Sequence, residues 1–241
     1  MSTTAPALSI LSTPEFLSAI QAVAPRIAVF DCDGTLWSPD AGSGFMNWTV
    51  ETGLLSRSGS EWIADRHRAY HRGEIDELTI CGEMVQVYRG LRESEIRASA
   101  QRFFTTHIEA YVFPELRALI ADLQSKGVEI WAVSSTWNIV IEEALRGFNI
   151  SAERILGARV EVRDGIVTEK LVDVPTDEGK ATSLRRAGVP NPDAVFGNSI
   201  HDAAMLQIAR RAFPVNPNAE LQQLCLQTQW PVYYPEAVAP K

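Results

Sequence analysis

The tightest constraint on this chain is the segment Arg26-Ile-Ala-Val-Phe-Asp31, followed at once by Cys32-Asp33-Gly34-Thr35. A short, nearly all-apolar run is expected of a strand buried on both faces of a parallel sheet, because a strand with one wet face would alternate. Ending such a strand on two aspartates is costly unless the carboxylates bind a cation or do chemistry. In an extended turn, residues i and i+2 project to the same side, so Asp31 and Asp33 can share one site. Gly34 permits a tight turn beside a ligand, and Thr35 can hydrogen-bond locally.

The rest of the chain supplies the partners of that strand. Ser12-Thr13-Pro14-Glu15 predicts a helix start, a hydroxyl cap followed by proline in the first turn, with the helix running to about Val23. From Asp40 to Phe113 the pattern changes to long amphipathic helices, about four of them, without a convincing strand. The expected organisation is an α-helical cap domain over 40–113, inserted into a core domain made of 1–39 and 114–241. After Pro114 an alternating rhythm resumes. Helix is expected over 114–126, strand over 128–133, helix over 137–146, and a hairpin over 158–172 that turns at Asp164-Gly165. Helix 178–186, strand 194–196, helix 202–210 and strand 212–215 follow. Strands alternating with helices predict an α/β fold, a doubly wound, Rossmann-like parallel sheet in three α/β/α layers. There is no internal repeat and no low-complexity segment.

Length and composition narrow the function. A chain of 241 residues suits one sizeable domain or a domain with an insert, and 46% hydrophobic with 22% charged residues is ordinary for a soluble globular protein. The formal charge of -8 and the lack of a basic run argue against a nucleic-acid partner. No stretch approaches the ~20 apolar residues of a membrane span, and no basic residue precedes the first apolar stretch as in a secretory leader. Cys32, Cys81 and Cys225 are isolated, which fits reduced thiols and a cytoplasmic location. Nothing in the sequence reports an oligomeric state.

The expected strands place other polar groups beside the first two aspartates, because ligands of open α/β sheets bind beyond the carboxyl ends of the strands. Val133-Ser134-Ser135-Thr136 ends the second core strand, where hydroxyl and backbone N–H groups make an anion site or simply cap a helix. Lys180, in Asp177-Glu-Gly-Lys, could neutralise paired carboxylates and grip a phosphate as a point charge, although a single helical lysine is usually solvated. Gly197-Asn198-Ser-Ile-His-Asp202 offers an amide and a carboxylate oxygen. Both are hard ligands suited to Mg²⁺, and both residues are also ordinary at a helix start.

Taken in this order, DCDGT, VSS, EGK and GNSIHD resemble the motifs of the haloacid dehalogenase superfamily, and within it the phosphoserine-phosphatase-like phosphohydrolases. The resemblance covers nearly the whole chain, helical cap included. It implies a Mg²⁺-dependent phosphatase acting on a small phosphorylated metabolite, with Asp31 as the nucleophile that forms an aspartyl-phosphate and Asp33 as general acid and base. Asp33 separates the phosphatases from the dehalogenases, which lack that acid. By the same resemblance Gly34, Ser134, Ser135 and Lys180 bind the phosphoryl group, and Mg²⁺ is held by Asp31, the backbone carbonyl of Asp33, Asn198 and Asp202. Asn198 departs from the pattern, since an aspartate is usual there; a neutral amide brings no charge and weakens the site.

Asp40, nine positions after the nucleophile, stands where phosphoserine phosphatases meet the substrate's ammonium group. The DGT and SSTW readings depart from the DST and SGGF of those enzymes, so serine phosphate and amino-alcohol phosphates both remain open. Trp37, Trp48, Trp62, Tyr70 and Trp137 could face a cationic substrate, though helix packing explains any one of them more simply. The same holds for His67, His71 and His201, and for Arg57, Arg66 and Arg68 as contacts to a substrate carboxylate. The competing readings are a phosphate-compound binding or regulatory protein of the same fold with little turnover, motivated by Asn198, and phosphoryl transfer to an acceptor other than water.

Overall fold

The computed structural model describes residues 7–240. In chain order the elements are β1 (Ile10–Leu11), α1 (Thr13–Val23), β2 (Ile27–Phe30), α2 (Ala41–Glu51), α3 (Arg57–His71), α4 (Glu77–Gln86), α5 (Glu93–Phe103) and α6 (Pro114–Ser125). They continue with β3 (Glu129–Trp137), α7 (Asn138–Ala144), β4 (Ile155–Arg163), β5 (Ile166–Asp173), α8 (Glu178–Arg186), β6 (Ala194–Gly197), α9 (Ala203–Gln207), β7 (Arg211–Pro214), α10 (Ala219–Thr228) and β8 (Val232–Tyr233). The main sheet has the order β5-β4-β3-β2-β6-β7, parallel except for the antiparallel β4–β5 hairpin. The α/β, doubly wound fold is therefore as expected.

The period of two in the buried strands divides the core into two layers. Ala28 and Phe30 of β2, Ile130 and Ala132 of β3, and Ala194 and Phe196 of β6 join one cluster with Phe16 and Ile20 of α1 and Leu116 and Leu119 of α6. The intervening Val29, Trp131, Val133 and Val195 join the other, with Leu184 of α8, Met205 of α9 and Leu221 of α10. Both faces of the central strands are thus covered, which is why those strands read as apolar runs rather than alternating ones.

Local chemistry sets the element boundaries. Asp40, Ser56, Asp76 and Asn218 each accept a hydrogen bond from a first-turn backbone N–H and so cap α2, α3, α4 and α10. Asp164 (φ 52°) and Gly165 (φ 73°) are both left-handed, which the two-residue turn of the β4–β5 hairpin requires. The tip of that hairpin is hydrogen-bonded to the α4–α5 connection: Gly90 N–H donates to the Val167 carbonyl at 2.8 Å, and Val167 N–H donates to Leu91 at 3.0 Å. The helical segment from α2 to α5 is thereby tied to the sheet's outer edge as well as through its own chain ends.

Three boundaries depart from the sequence expectation. β3 does not stop at Val133 but runs through Ser134-Ser135-Thr136 to Trp137, because its pairing with β4 slips between Val133 and Trp137 and keeps the hydroxyl residues extended. The helix expected over 202–210 is a 3-10 turn (Ile200–Asp202) followed by the short α9. Past the last expected strand, α10 and β8 were not anticipated, and β8 pairs in parallel with β1 at the N-terminal end of the chain. Among the described residues, no helix is long and apolar enough to cross a membrane.

Phe16 joins these distant parts. Its ring stacks on Tyr233 at 4.0 Å and meets Phe196 and Phe213 edge-on at 6.1 Å and 5.9 Å. Phe16→Ala is expected to lower unfolding stability by about 3–5 kcal/mol, read as a fall in the urea midpoint at unchanged slope.

Candidate active site

Parallel register brings the polar strand ends together. Phe30 lies opposite Ala132 of β3 and Phe196 of β6, so the residues that follow all three strands emerge at one level. The Asp31 N–H donates to the Phe196 carbonyl at 2.9 Å, which fixes the first aspartate at the sheet's carboxyl edge. Its carboxylate is buried and accepts from two directions, Lys180 Nζ onto Oδ1 at 2.7 Å and Thr35 Oγ1 onto Oδ2 at 3.0 Å.

Lys180, in the first turn of α8, is buried between two acids. Besides Asp31 it donates to Asp202 Oδ1 at 2.5 Å. Burial alone would lower its pKa, but the Asp202 and Asp31 carboxylates outweigh that and hold the ammonium firmly protonated. Asp202 is engaged on both oxygens, because its Oδ2 accepts the backbone N–H groups of Asn198 at 2.8 Å and Ser199 at 2.9 Å. It therefore holds Lys180 and folds the β6–α9 turn. Gly197 is needed for this approach: a Cβ there would stand 2.7 Å from Asp202 Cβ.

Asp33 sits in a cradle of donors. Trp37 Nε1 (2.7 Å) and the Ala41 N–H (2.8 Å) reach its Oδ1, and Thr136 Oγ1 reaches its Oδ2 at 2.6 Å. Burial and the neighbouring Asp40 raise its pKa to about 6, against the lowering effect of those three hydrogen bonds. A carboxyl group near that value can give up and take back a proton close to neutral pH.

The remaining expected residues fall as follows. Ser134 is buried on β3, and its Oγ accepts the Thr136 N–H at 3.1 Å. Gly34 (φ 76°) holds the turn after Asp33, and a Cβ on it would lie 1.9 Å from Asn198 Nδ2, so the Asn198 amide rests directly on this turn. Asp40, exposed at the start of α2, accepts from Ser43 N–H and Oγ at 2.8 Å and 3.1 Å. With Ser135 and Thr136 it lines a cavity of ≈ 80 Å³ between the sheet edge and helices α2 and α4. Tyr70, Trp137 and His67 also line that cavity, whereas Trp62 is exposed and His201 pairs with Asp177 at 2.7 Å.

Sequence reasoning missed three contributions. The role of Thr136 in holding Asp33 was hidden because the SST run reads as a helix cap. The indole of Trp37 serves Asp33 rather than a ligand, and the only signal was its position four residues after that aspartate. Glu77, which enters the cavity from α4, carried no motif at all.

The donor set fits a hard divalent cation, with one weakness. Burial, with the Asp202 charge added, pushes the Asp31 carboxyl up to about 7 despite the pull of Lys180. The Asp31 carboxylate and the Asn198 amide, which rests on the turn after Asp33, are oxygen donors of the kind Mg²⁺ takes. Among the described residues, no three His, Cys, Asp or Glu side chains gather on one ion position.

Comparisons with known proteins give the family of the chain. The family model of haloacid dehalogenase-like hydrolases matches residues 28–207. A histidinol-phosphatase of Neisseria meningitidis serogroup C (strain 8013) is 25% identical over 219 residues, 86% of this chain and 97% of its own length. A phosphoserine phosphatase of Halobacterium salinarum is 26% identical over 217 residues, 84% of this chain and 91% of that protein. Among solved structures, a protein of unknown function from Bordetella pertussis Tohama I superposes with a TM-score of 0.77 at 20% identity, covering 87% of this chain and 98% of that one. A substrate-bound phosphoserine phosphatase gives 0.59 at 14% identity over 88% and 93%. The matched residues run from β2 through α9, the whole span that builds the site, and the chain belongs to the haloacid dehalogenase-like hydrolase family.

Proposed function

We propose that this protein is a Mg²⁺-dependent phosphomonoesterase that works through an aspartyl-phosphate on Asp31. The observation that carries the reading is the Asp31 carboxylate held between Lys180 and Thr35 at the end of β2, with a second carboxyl, Asp33, two residues on. In the first step a carboxylate oxygen of Asp31 attacks phosphorus, the bond to the leaving alcohol breaks, and Asp33 gives that oxygen its proton. In the second, Asp33 takes a proton from water, the water oxygen attacks phosphorus, and Asp31 and inorganic phosphate are released. Lys180 pairs with the phosphoryl charge, with Gly34, Ser134 and Ser135 beside it. Asp31, the Asp33 carbonyl and Asn198 would hold Mg²⁺, with Asp202 behind them; when bound, the ion offsets the repulsion between carboxylate and phosphate.

Residues 40–113 serve as the cap over this site, on a core of 1–39 and 114–241, and the substrate is a small phosphate ester whose ammonium group meets Asp40. The names of the relatives, histidinol-phosphatase and phosphoserine phosphatase, support a phosphorylated amino compound. Buried free thiols at Cys32, Cys81 and Cys225 suit a cytoplasmic setting. The neutral Asn198 favours a second reading, a phosphate-compound binding protein of the same fold with little turnover.

Release of inorganic phosphate from p-nitrophenyl phosphate with added Mg²⁺ separates the two. The wild type is expected to turn over, with Asp31→Asn at least ~1,000-fold slower; equal rates would end the enzyme reading. Asn198→Asp is expected to lower the Mg²⁺ concentration for half-maximal rate about 10-fold, since ligand charge sets affinity for hard cations. Gly34→Ala should cut kcat about 100-fold, because the new methyl displaces Asn198 and strains a left-handed turn. Its urea midpoint would move far less than its rate.

A further inference from the structure

The cavity beside Asp33 has a lopsided chemistry. If Asp33 protonates the leaving oxygen, the leaving alcohol must lie next to it, and the cavity begins there: Thr136, which donates to Asp33, and Asp40 both line it. Further in, Glu77 enters from the first turn of α4. Its Oε1 accepts the Cys81 thiol at 3.4 Å, and its charge together with burial raises the pKa of Tyr70. The cavity thus has a carboxylate at each of two places, on α2 and on α4.

No cation answers them. Among the described residues, neither lysine nor arginine lines the cavity. The arginines of α3 that could have met a substrate carboxylate point to acids elsewhere, Arg66 to Glu83 at 2.8 Å, Arg57 to Glu61 at 2.9 Å, and Arg68 to Asp65. His67 is the one basic side chain present, and burial and His71 keep its pKa low in spite of Asp40 and Glu77. The walls are aromatic, with Tyr88 and Trp137 rings 4.7 Å apart and Phe45 5.9 Å from Tyr88. Such a space suits a cation or a flat nitrogen ring. A carboxylate entering it would be desolvated against two like charges.

We propose that Glu77 is a specificity-determining residue that accepts a hydrogen bond from a second nitrogen base on the leaving alcohol, so that the preferred substrate is a carboxylate-free amino-alcohol phosphate with two nitrogen centres. This rests on the phosphomonoesterase reading above. Asp40 takes the ammonium group nearer the phosphate, and Glu77 takes the distal base.

The test uses three phosphate esters with the full-length protein. L-Histidinol phosphate carries an ammonium and an imidazole, O-phosphoethanolamine an ammonium alone, and O-phospho-L-serine an ammonium and a carboxylate. The wild type is expected to show kcat/KM at least ~10-fold higher for the first than for the second, and lowest for the third. In Glu77→Gln the ratio of the first to the second should fall about 10-fold, chiefly through KM, a change that a general loss of folding would not produce. Preference for O-phospho-L-serine in the wild type overturns the proposal whatever the variant does, as does an unchanged ratio in a folded Glu77→Gln protein. Failure of the underlying reading is distinguishable, because p-nitrophenyl phosphate would then not be hydrolysed at all.

Discussion

The site depends on one buried ammonium held between two carboxylates. Lys180 is buried, and its charge is met by Asp31 and Asp202. Buried ion pairs recover their desolvation cost only when the remaining lone pairs are also satisfied. Here they are, through Thr35 on Asp31 and two backbone N–H groups on Asp202. The triad therefore fixes three separate pieces of chain, the β2 end, the first turn of α8 and the β6–α9 turn. Removing the ammonium would leave two acids facing each other in the interior, a loss of about 3–5 kcal/mol on the usual scale for a broken buried pair.

The frame that makes this possible was legible in the sequence, because it follows from patterns of short range. Apolar runs closing on Asp31 and before Asn198, and the Asp164-Gly165 turn, have local physical causes, and the structure places them as expected. What escaped was set at long range. The pairing of β8 with β1 joins the two ends of the described chain, and two-residue strands leave almost no periodic signal. The continuation of β3 through Ser134-Ser135-Thr136 depends on its partner β4, since hydroxyl residues alone suit a cap as well as a strand. The cradle around Asp33 is similar. Its donors come from positions 37, 41 and 136, and only the fold makes them neighbours.

The helical segment α2–α5 is bonded to the core at more than its chain ends. Beyond the backbone bonds from Gly90 and Leu91 to the hairpin tip, Gln86 Nε2 donates to the Glu169 carbonyl at 2.7 Å and Arg89 pairs with the Glu169 carboxylate at 2.8 Å. On the other side, Arg97 of α5 reaches Glu142 of α7 at 2.8 Å. Motion that opened the cavity by lifting α4 would have to break these bonds or carry the β4–β5 hairpin along. The hairpin is the outer edge of the sheet, and the flank of β5 that faces away from β4 is the one these bonds occupy. Helix α4, with the connection after it, and the β4–β5 hairpin are therefore joined by backbone and side-chain bonds alike.

Charge balance then gives Asn198 a physical meaning. The buried centre has three carboxyl groups, Asp31, Asp33 and Asp202, against the single ammonium of Lys180. Burial is the main cause of the upward shifts at both Asp31 and Asp33; the Asp202 charge adds to the first, and Asp40, outside this group, adds to the second. A fourth acid at position 198 would add to the excess of carboxyl groups whenever no cation was bound, and would be repaid only by tighter holding of the metal. If position 198 faces the metal as proposed, an amide there keeps an oxygen for the ion and lowers the cost of the site without it. Under the proposed function, the substitution exchanges metal affinity for a centre that stays assembled without the ion.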